Sequence, residues 1–359
     1  MSELILVINP GSTSTKVGLF QDGAARNEEN LTHEAEELRP DRPVFEQLPL
    51  RLAAVRELLV RWGVAVGELA AVVGRGGLLP PLPGGTYQVD TDMLDRLARA
   101  ERGEHASNLG AALAFTLAQE AGRPAYIVDP VSVDELWPVA RVTGRPELAR
   151  SSVCHALNLR ATAHAHATKL GRPLAELRLV VAHLGGGVSL AAVAGGRLVD
   201  VINPREEGPM SADRAGGLPT LPFGIWAVEK GYTVADLERL CFREGGFFAH
   251  LGTRDLREIY RRVEAGDEAA QRVVEALVYQ VARAIGGLAA CLAGRVDAVL
   301  LTGGMAKEPR LTAEIRDRVA FIGPVHVYPG ENELAALAAG AARVLRGEEL
   351  ARTIGQPGK

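Results

Sequence analysis

Cysteine is scarce and poorly placed for cross-linking or metal binding. The 359-residue chain holds three, Cys154, Cys241 and Cys291, an odd number set far apart with no CxxC pair. That excludes a disulfide framework or a thiolate zinc site and points to reduced thiols in a cytoplasmic protein. No apolar run approaches the roughly 20 residues that cross a bilayer, so no membrane span is expected. The N-terminus opens on strand-like sequence without the apolar segment of a signal peptide. A strong charge excess is missing too. The formal net charge of −4 gives no reason to expect nucleic acid or an acidic membrane as a partner. What remains, 47% hydrophobic and 23% charged residues, is ordinary for a globular protein, and the length allows about two domains.

A Walker loop is also lacking, although one segment comes near it. Residues 4–23, LILVINPGSTSTKVGLFQDG, carry Gly11, Ser12, Thr13, Ser14 and Lys16 after an apolar run. A Walker loop needs G-x-x-x-x-G-K-[ST] between a strand and a helix. Here the second glycine is absent, and Val17 stands where Ser or Thr would hold magnesium. KVGLFQDG alternates like a strand and closes in Asp22-Gly23, a hairpin signal. The segment reads strand, polar loop, strand, turn. It is either an ordinary hairpin or a phosphate loop in which Gly11 admits backbone N–H groups and the hydroxyls join them.

A second segment repeats the layout. In residues 177–204 a strand (Leu179 to Leu184) meets Gly185, Gly186 and Gly187; a second strand (Val188 to Val193) follows, then Gly195-Gly196, then a third strand (Arg197 to Ile202). Two such units about 175 residues apart indicate a duplicated domain. Adjacent glycines are entropically costly in a strand pair and make sense where backbone approaches a ligand. A third glycine loop, Gly303-Gly304, ends the strand Val299 to Leu301. A helix is expected from about Pro309, and a long amphipathic one over about 267–293, where Val273, Leu277, Val281, Ile285, Leu288 and Leu292 recur at spacings of three and four.

These segments, with VVGRGGLLPPLPGG, YIVDP, VCHALN, EGPMSADRAGGLPT, LLTGGMA and YPGENELAALA, resemble the acetate kinase family over nearly the whole chain. Within that family they are most similar to the branch holding the butyrate kinases and their branched-chain relatives. The resemblance implies an α/β fold of duplicated ribonuclease H-like (actin-like ATPase) domains, mixed sheets flanked by helices, with an interdomain cleft. The halves would be 1–150, joined by a returning C-terminal helix at about 331–346, and 151–330, with 350–359 a loose tail. It implies ATP and a short-chain carboxylic acid as substrates, Mg²⁺ as cofactor, and a homo-oligomer, at least a dimer, with no nucleic acid or membrane partner.

Transfer of a phosphoryl group to a carboxylate needs positioning and positive charge more than covalent help. The acceptor, with a pKa near ~4–5, is already ionised and needs no general base. Taken alone, Arg75 reads as a solvated loop arginine, Arg214 as a surface partner of Glu206 or Glu207, and Asp129-Pro130 as a turn. Histidine in a helix, as at His155, is more often structural, and His164 and His166 diverge by about 200° on a helix, too far for a metal pair. The resemblance assigns more. Arg75 and Arg214 hold the acyl and phosphoryl groups, and His155 and His183 hydrogen-bond the phosphoryl. Asp129, with Glu331 or Glu333, serves Mg²⁺. Asn9, Ser12, Ser14 and Lys16, with Gly185 to Gly187, embrace the phosphates. Gly303 and Gly304 face the ribose and α-phosphate, and Asp255, Leu256 and Arg257 line the adenosine pocket.

Gly76 and Gly77 stand where acetate kinases have two valines, and Cys154 where many have phenylalanine. Both changes imply a roomier acyl pocket, at about 0.8 kcal/mol per buried methylene, hence butyrate and branched C4–C5 acids ahead of propionate and acetate. A nucleotide-dependent switch of the actin or heat-shock type would share the glycine loops but need no paired arginines. A sugar kinase would need an aspartate base, which Asp129 keeps open.

Overall fold

The structure, a computed structural model, describes residues 3–38 and 42–355. Along the chain run β1 (Leu4–Pro10), β2 (Ser14–Gln21), β3 (Ala24–Thr32), α1 (Ala35–Leu38), α2 (Leu48–Arg61), β4 (Ala71–Arg75), β5 (Thr86–Gln88), α3 (Thr91–Ala98), α4 (Asn108–Ala121) and β6 (Ala125–Val128). Then come α5 (Ala156–Leu170), β7 (Leu179–Leu184), β8 (Val188–Ala194), β9 (Arg197–Ile202), α6 (Thr220–Lys230), α7 (Val234–Phe242), α8 (Gly246–Leu251) and α9 (Leu256–Glu264). The chain closes with α10 (Glu268–Cys291), β10 (Ala298–Gly303), α11 (Pro309–Val319), β11 (Val325–Pro329) and α12 (Glu333–Leu345).

Two compact units result, one of residues 1–134 with 332–359, the other of 135–331. The first holds a sheet ordered β3-β2-β1-β4-β6-β5, the second one ordered β11-β10-β7-β8-β9. In each, a three-strand antiparallel meander is extended by two parallel strands: β4 beside β1 and β6 beside β4, then β10 beside β7 and β11 beside β10. Even the bulge recurs, at Leu19/Phe20 in one meander and Ala192/Val193 in the other. Without the edge strand β5 the two sheets are the same design, as the repeated strand–glycine–strand layout predicts.

Composition explains the order. β1, β4, β7 and β10 are runs of Leu, Ile, Val and Ala that lie buried along nearly their whole length, the mark of strands covered on both faces. β3, AARNEENLT, is mostly exposed and forms an edge, where charge discourages further pairing. The first unit's sheet is covered by α4, against β4 and β6, and by α12, against β1, β4 and β6.

By length and composition α10 is long and apolar enough to cross a membrane, although charged residues interrupt its apolar run. Its buried residues, among them Val273, Leu277, Val281, Ile285 and Leu288, recur at helical spacing in the second unit's core, while Arg272, Glu275 and Arg283 are exposed. It is an amphipathic core helix.

Residues 135–150 go with the second unit rather than the first. Buried Glu135 accepts hydrogen bonds from Arg160 (3.2 Å) and from the Leu198 N–H (2.9 Å), and the Trp137 N–H donates to the Val199 carbonyl (2.8 Å). The tail needs correcting as well. Arg352 is not loose: its N–H donates to the Thr86 carbonyl (2.9 Å), and its carbonyl accepts from the Gln88 N–H (2.8 Å). Backbone pairing of this kind requires no apolar side chain, so polar composition misleads there. Residues 356–359 of that expected tail lie outside the described residues.

The helix α4 meets β4 backbone to backbone. A Cβ on Gly110 would lie 2.2 Å from the Arg75 carbonyl oxygen, and one on Gly74 would lie 1.9 Å from the Gly110 oxygen. Alanine normally favours a helix over glycine by about 1 kcal/mol. We expect Gly110→Ala to destabilise the protein nonetheless, by about 1–3 kcal/mol from overpacking against rigid backbone. Chemical denaturation tests this, and an unchanged or raised midpoint would refute the contact.

Candidate functional site

In the first unit the candidate residues gather where β1, β4 and β6 end. Parallel register sets Ile8 beside Gly74 and Arg75 beside Val128. Across the β1–β2 hairpin Asn9 lies opposite Lys16, and opposed residues project from the same face. Glu333, at the start of α12, joins them. One of its carboxylate oxygens accepts from the Arg75 guanidinium, the other from the Asn9 side-chain amide at 2.6 Å. Burial alone would push the Glu333 carboxyl up, but the charge and hydrogen bond of Arg75, the Asn9 amide and the charge of Lys16 outweigh it and hold the carboxyl below the usual glutamate range. Ser12 and Ser14 lie in the same hairpin loop, Ser12 exposed and Ser14 half-buried.

Asp129 follows β6 and is buried. Its carboxylate accepts the Gly85 N–H at 2.7 Å, and its own N–H donates to the Gly85 carbonyl at 3.0 Å. Its φ of 40° lies in the left-handed region that aspartate tolerates better than most side chains. It therefore anchors the loop before β5. Sequence reasoning missed His105, whose imidazole is held below its ordinary pKa first by burial and then by the charge of Arg75.

At Gly76 and Gly77, the residues expected to widen an acyl pocket, the space a side chain would enter is already occupied. A Cβ on Gly76 would lie 2.5 Å from Pro130 Cβ, and one on Gly77 2.5 Å from the Asn108 side-chain oxygen and 2.8 Å from Leu97. The places of the absent side chains are taken up by close packing. Cys154, the third residue of that expectation, is buried with its sulfur 3.7 Å from the Ser152 hydroxyl.

In the second unit the equivalent strand ends, of β7, β10 and β11, carry the rest. His183 closes β7 and stacks on His155, ring centroids 3.9 Å apart and 15° from parallel. His155 sits just before α5 rather than within it, with Nδ1 2.8 Å from the Ser189 hydroxyl. His183 Nδ1 is 2.9 Å from Asn158 Oδ1, while Asn158 Nδ2 donates to the Glu331 carbonyl at 2.9 Å. That second bond makes Oδ1 the acceptor, so His183 carries a proton on Nδ1. Its Nε2 lies 3.6 Å from the Glu331 carboxylate. Asn158 was missed, although it sits three residues after His155 in VCHALN, one turn along the same helix face.

Arg214 belongs to the irregular stretch before α6, and its guanidinium lies directly over Gly187. A Cβ there would be 2.4 Å from Nη1 and 2.6 Å from Cζ. Burial lowers its pKa, with Asp213 opposing and Arg205 adding to the effect. The pairing with Glu206 or Glu207 expected of an isolated surface arginine is not formed: Glu207 pairs with Arg150 at 2.8 Å instead. Among the described residues no carboxylate forms an ion pair with Arg214.

Beside this loop opens a cavity of about 480 Å³, lined by Gly185, Gly186, Gly304, Glu331 and the segment Asp255, Leu256 and Arg257. Arg254 and Lys307 also line it; neither stood out in the sequence, since each is one cation in an ordinary polar stretch. Asp255 caps α9 by accepting the Arg257 N–H (2.9 Å) and pairs with the Arg257 side chain (3.0 Å). Gly304 has open space beside its Cα, whereas Gly303, at φ 94°, is pressed on the Leu184 carbonyl and faces inward.

The lowered Glu333 pKa has a signed consequence. Its ionised form contributes stability above the unfolded pKa of about 4.3, and that contribution fades as pH falls through the still lower folded value. Glu333→Gln should be less stable than wild type at pH 7, and its stability should depend less on pH between about 5 and 3. Urea titrations across that range test it, and parallel pH curves for the two proteins would refute it.

The sequence pattern of the Acetokinase family matches residues 150–332. The chain is 46% identical to a protein of Caldanaerobacter subterraneus subsp. tengcongensis described as probable butyrate kinase 2, over 98% of this chain and 99% of that one. It is 46% identical to a probable butyrate kinase of Enterococcus faecalis, over 97% of each. In fold it resembles the crystal structure of Porphyromonas gingivalis acetate kinase, with a TM-score of 0.77 at 17% identity, covering 95% of this chain and 99% of that one. The chain belongs to the acetokinase family.

Proposed function

We propose that the protein is an ATP-dependent carboxylate kinase that converts butyrate, or a branched acid of similar length, to its acyl phosphate with release of ADP. The observation that carries this reading is Arg214, a largely buried cation laid over a glycine loop beside two stacked histidines, with no carboxylate paired to it among the described residues. Such an arrangement suits an anion with several equatorial oxygens, which a planar guanidinium meets well. The acid's chain length rests on the near-full-length relatives described as probable butyrate kinases.

In this reading the cavity beside Gly185 and Gly304 receives adenosine and the inner phosphates, and Arg214 and the histidines meet the transferred phosphoryl. His183 has its Nδ1 proton committed to Asn158, so its Nε2 donates to a phosphoryl oxygen only as imidazolium. Arg75 meets the acceptor carboxylate, with Asn9 and Lys16 beside it. Asp129 supports the loop around Gly85. No general base is needed, because the acceptor is already an anion.

Mg²⁺ fits with few protein ligands. Among the described residues no group of three or more His, Cys, Asp or Glu is arranged to hold a metal, and Mg²⁺ in phosphoryl-transfer sites commonly takes one or two carboxylates plus phosphates and water. Glu331, lining the cavity, is the better candidate of the two glutamates, since both oxygens of Glu333 are bonded to Arg75 and Asn9. The ion would neutralise phosphate charge as it develops.

A homo-oligomer in the cytoplasm completes the proposal. The helix α6, TLPFGIWAVEK, buries none of its residues, and Leu221, Ile225 and Val228 stand exposed, as at a face covered by another copy. Sedimentation at micromolar concentration that found only monomer would remove that part.

ADP release measured with acids of two to five carbons, glycerol and glucose tests the activity. We expect stimulation by butyrate or a branched C4–C5 acid; stimulation by glycerol or glucose and by no acid would overturn it. Arg75→Ala and Arg214→Ala should each lower kcat/KM by at least ~10²-fold, the usual effect of removing a charge-stabilising donor. Folded variants with near-normal turnover would sink the assignments.

A further inference from the structure

Arg51, on α2, is fully buried, a rare setting for a guanidinium. Its partners are almost all in one place. Nη1 donates to the Ser14 carbonyl (2.9 Å) and the Thr15 hydroxyl (2.8 Å), and Nη2 to the Gly11 carbonyl (2.9 Å), with the Ser12 carbonyl at 3.5 Å. Gln47, one turn earlier, accepts from Nε (3.2 Å) and Nη2 (2.9 Å) and fixes the fork. Thr15 is held in turn by His33, Nε2 to hydroxyl 2.8 Å, and the His33 N–H donates to the Thr13 carbonyl at 3.0 Å. Among the described residues no carboxylate forms an ion pair with Arg51. Burial pushes its pKa down to about 10, so it remains a cation at neutral pH.

The geometry of the loop follows from the peptide plane. C=O and N–H of one trans peptide unit point in opposite directions. With the Gly11 and Ser12 carbonyls drawn toward Arg51, the N–H groups of Ser12 and Thr13 face the other way, on the exposed side of the loop. Successive outward amides over a buried positive charge offer hydrogen-bond donors to an anion.

We propose that Arg51 is a positioning residue for a phosphate loop: it holds the carbonyls of Gly11, Ser12 and Ser14 inward, so that the Ser12 and Thr13 amides are preset to receive a terminal phosphate of the nucleotide. This rests on the kinase reading above. Arg51 touches no substrate. It acts through the loop, and its charge adds to the field there without being reachable by solvent. A lysine could hold one or two of these carbonyls but not the whole fork.

The test uses the full-length protein with Arg51→Lys, and Gln47→Ala, which leaves the cation in place but frees its orientation. Kinetics with ATP and butyrate are combined with hydrogen exchange over residues 9–16. We expect Arg51→Lys to raise the KM for ATP about tenfold and Gln47→Ala about threefold, with the KM for butyrate within about twofold of wild type, since misplaced donors weaken what they were built to hold. Exchange should quicken at residues 11–14 while β1 and β2 keep their protection. A purely structural Arg51 would reduce the folded fraction and leave both KM values alone. That outcome in either folded variant overturns the proposal, and Gln47→Ala decides if Arg51→Lys does not fold. Should wild-type protein phosphorylate no carboxylic acid, the kinase reading fails separately. The loop assignment is then judged on exchange, where equal loosening of the whole β1–β2 hairpin overturns it and loosening confined to residues 11–14 supports it.

Discussion

Parallel hydrogen bonding, β4 onto β1 in one unit and β10 onto β7 in the other, is the interaction on which the remaining architecture rests. Strands paired this way end at one edge of the sheet, and open α/β sheets bind ligands outside the carboxyl ends of their strands. Arg75, Asp129 and the Asn9–Lys16 loop collect at one such edge, and His183, Gly303-Gly304 and Glu331 at the other. Because each sheet is a meander plus parallel additions, the first hairpin of each unit delivers its loop to that edge. One hairpin loop is polar (Gly11 to Ser14), the other all glycine (Gly185 to Gly187). The duplication thus places the same topological feature twice and lets its chemistry diverge.

The cations at these edges are handled in two ways. Arg75 has a carboxylate partner, and its pairing with Glu333 ties the start of α12 to the end of β4. Arg51 and Arg214 have none among the described residues, and burial lowers the proton affinity of both. A buried charge without a counter-charge costs stability unless hydrogen bonds meet it. Arg51 is met by backbone carbonyls, the Gln47 amide oxygen and the Thr15 hydroxyl; Arg214 lies over Gly187 of the glycine loop. A bound polyanion would offset that cost and stabilise the fold by mass action.

Glycine means opposite things at different points of this chain, and the sequence carries no mark of which. At Gly187 the missing side chain seats a guanidinium, and at Gly304 it leaves open cavity. At Gly74, Gly110, Gly76 and Gly77 it permits close contact with neighbouring atoms. A glycine in place of valine removes bulk, but neighbouring chain can take up the space, and cores are packed to near-crystalline density. At Gly76 and Gly77 the neighbouring atoms do so.

The amino-acid sequence by itself determined the elements and their repetition. β7 and β9 begin and end where alternation and glycine place them, α11 starts at Pro309, and α10 follows its three-and-four spacing to within two residues of the expected ends. These are local properties, set by side-chain periodicity, caps and turn residues. The glycine loops were visible for the same reason, as departures from pattern, whereas Arg75 and Arg214 stood out only through the family resemblance. Only the tertiary structure decided the partners. Arg75 meets Glu333 258 residues away, and Arg352 pairs with β5 through backbone alone. Asn158 sets the tautomer of His183, and Arg51 reaches a loop 37 to 40 residues earlier. Such contacts depend on three-dimensional proximity, and proximity across long sequence separations leaves no period or spacing in a single sequence to be read.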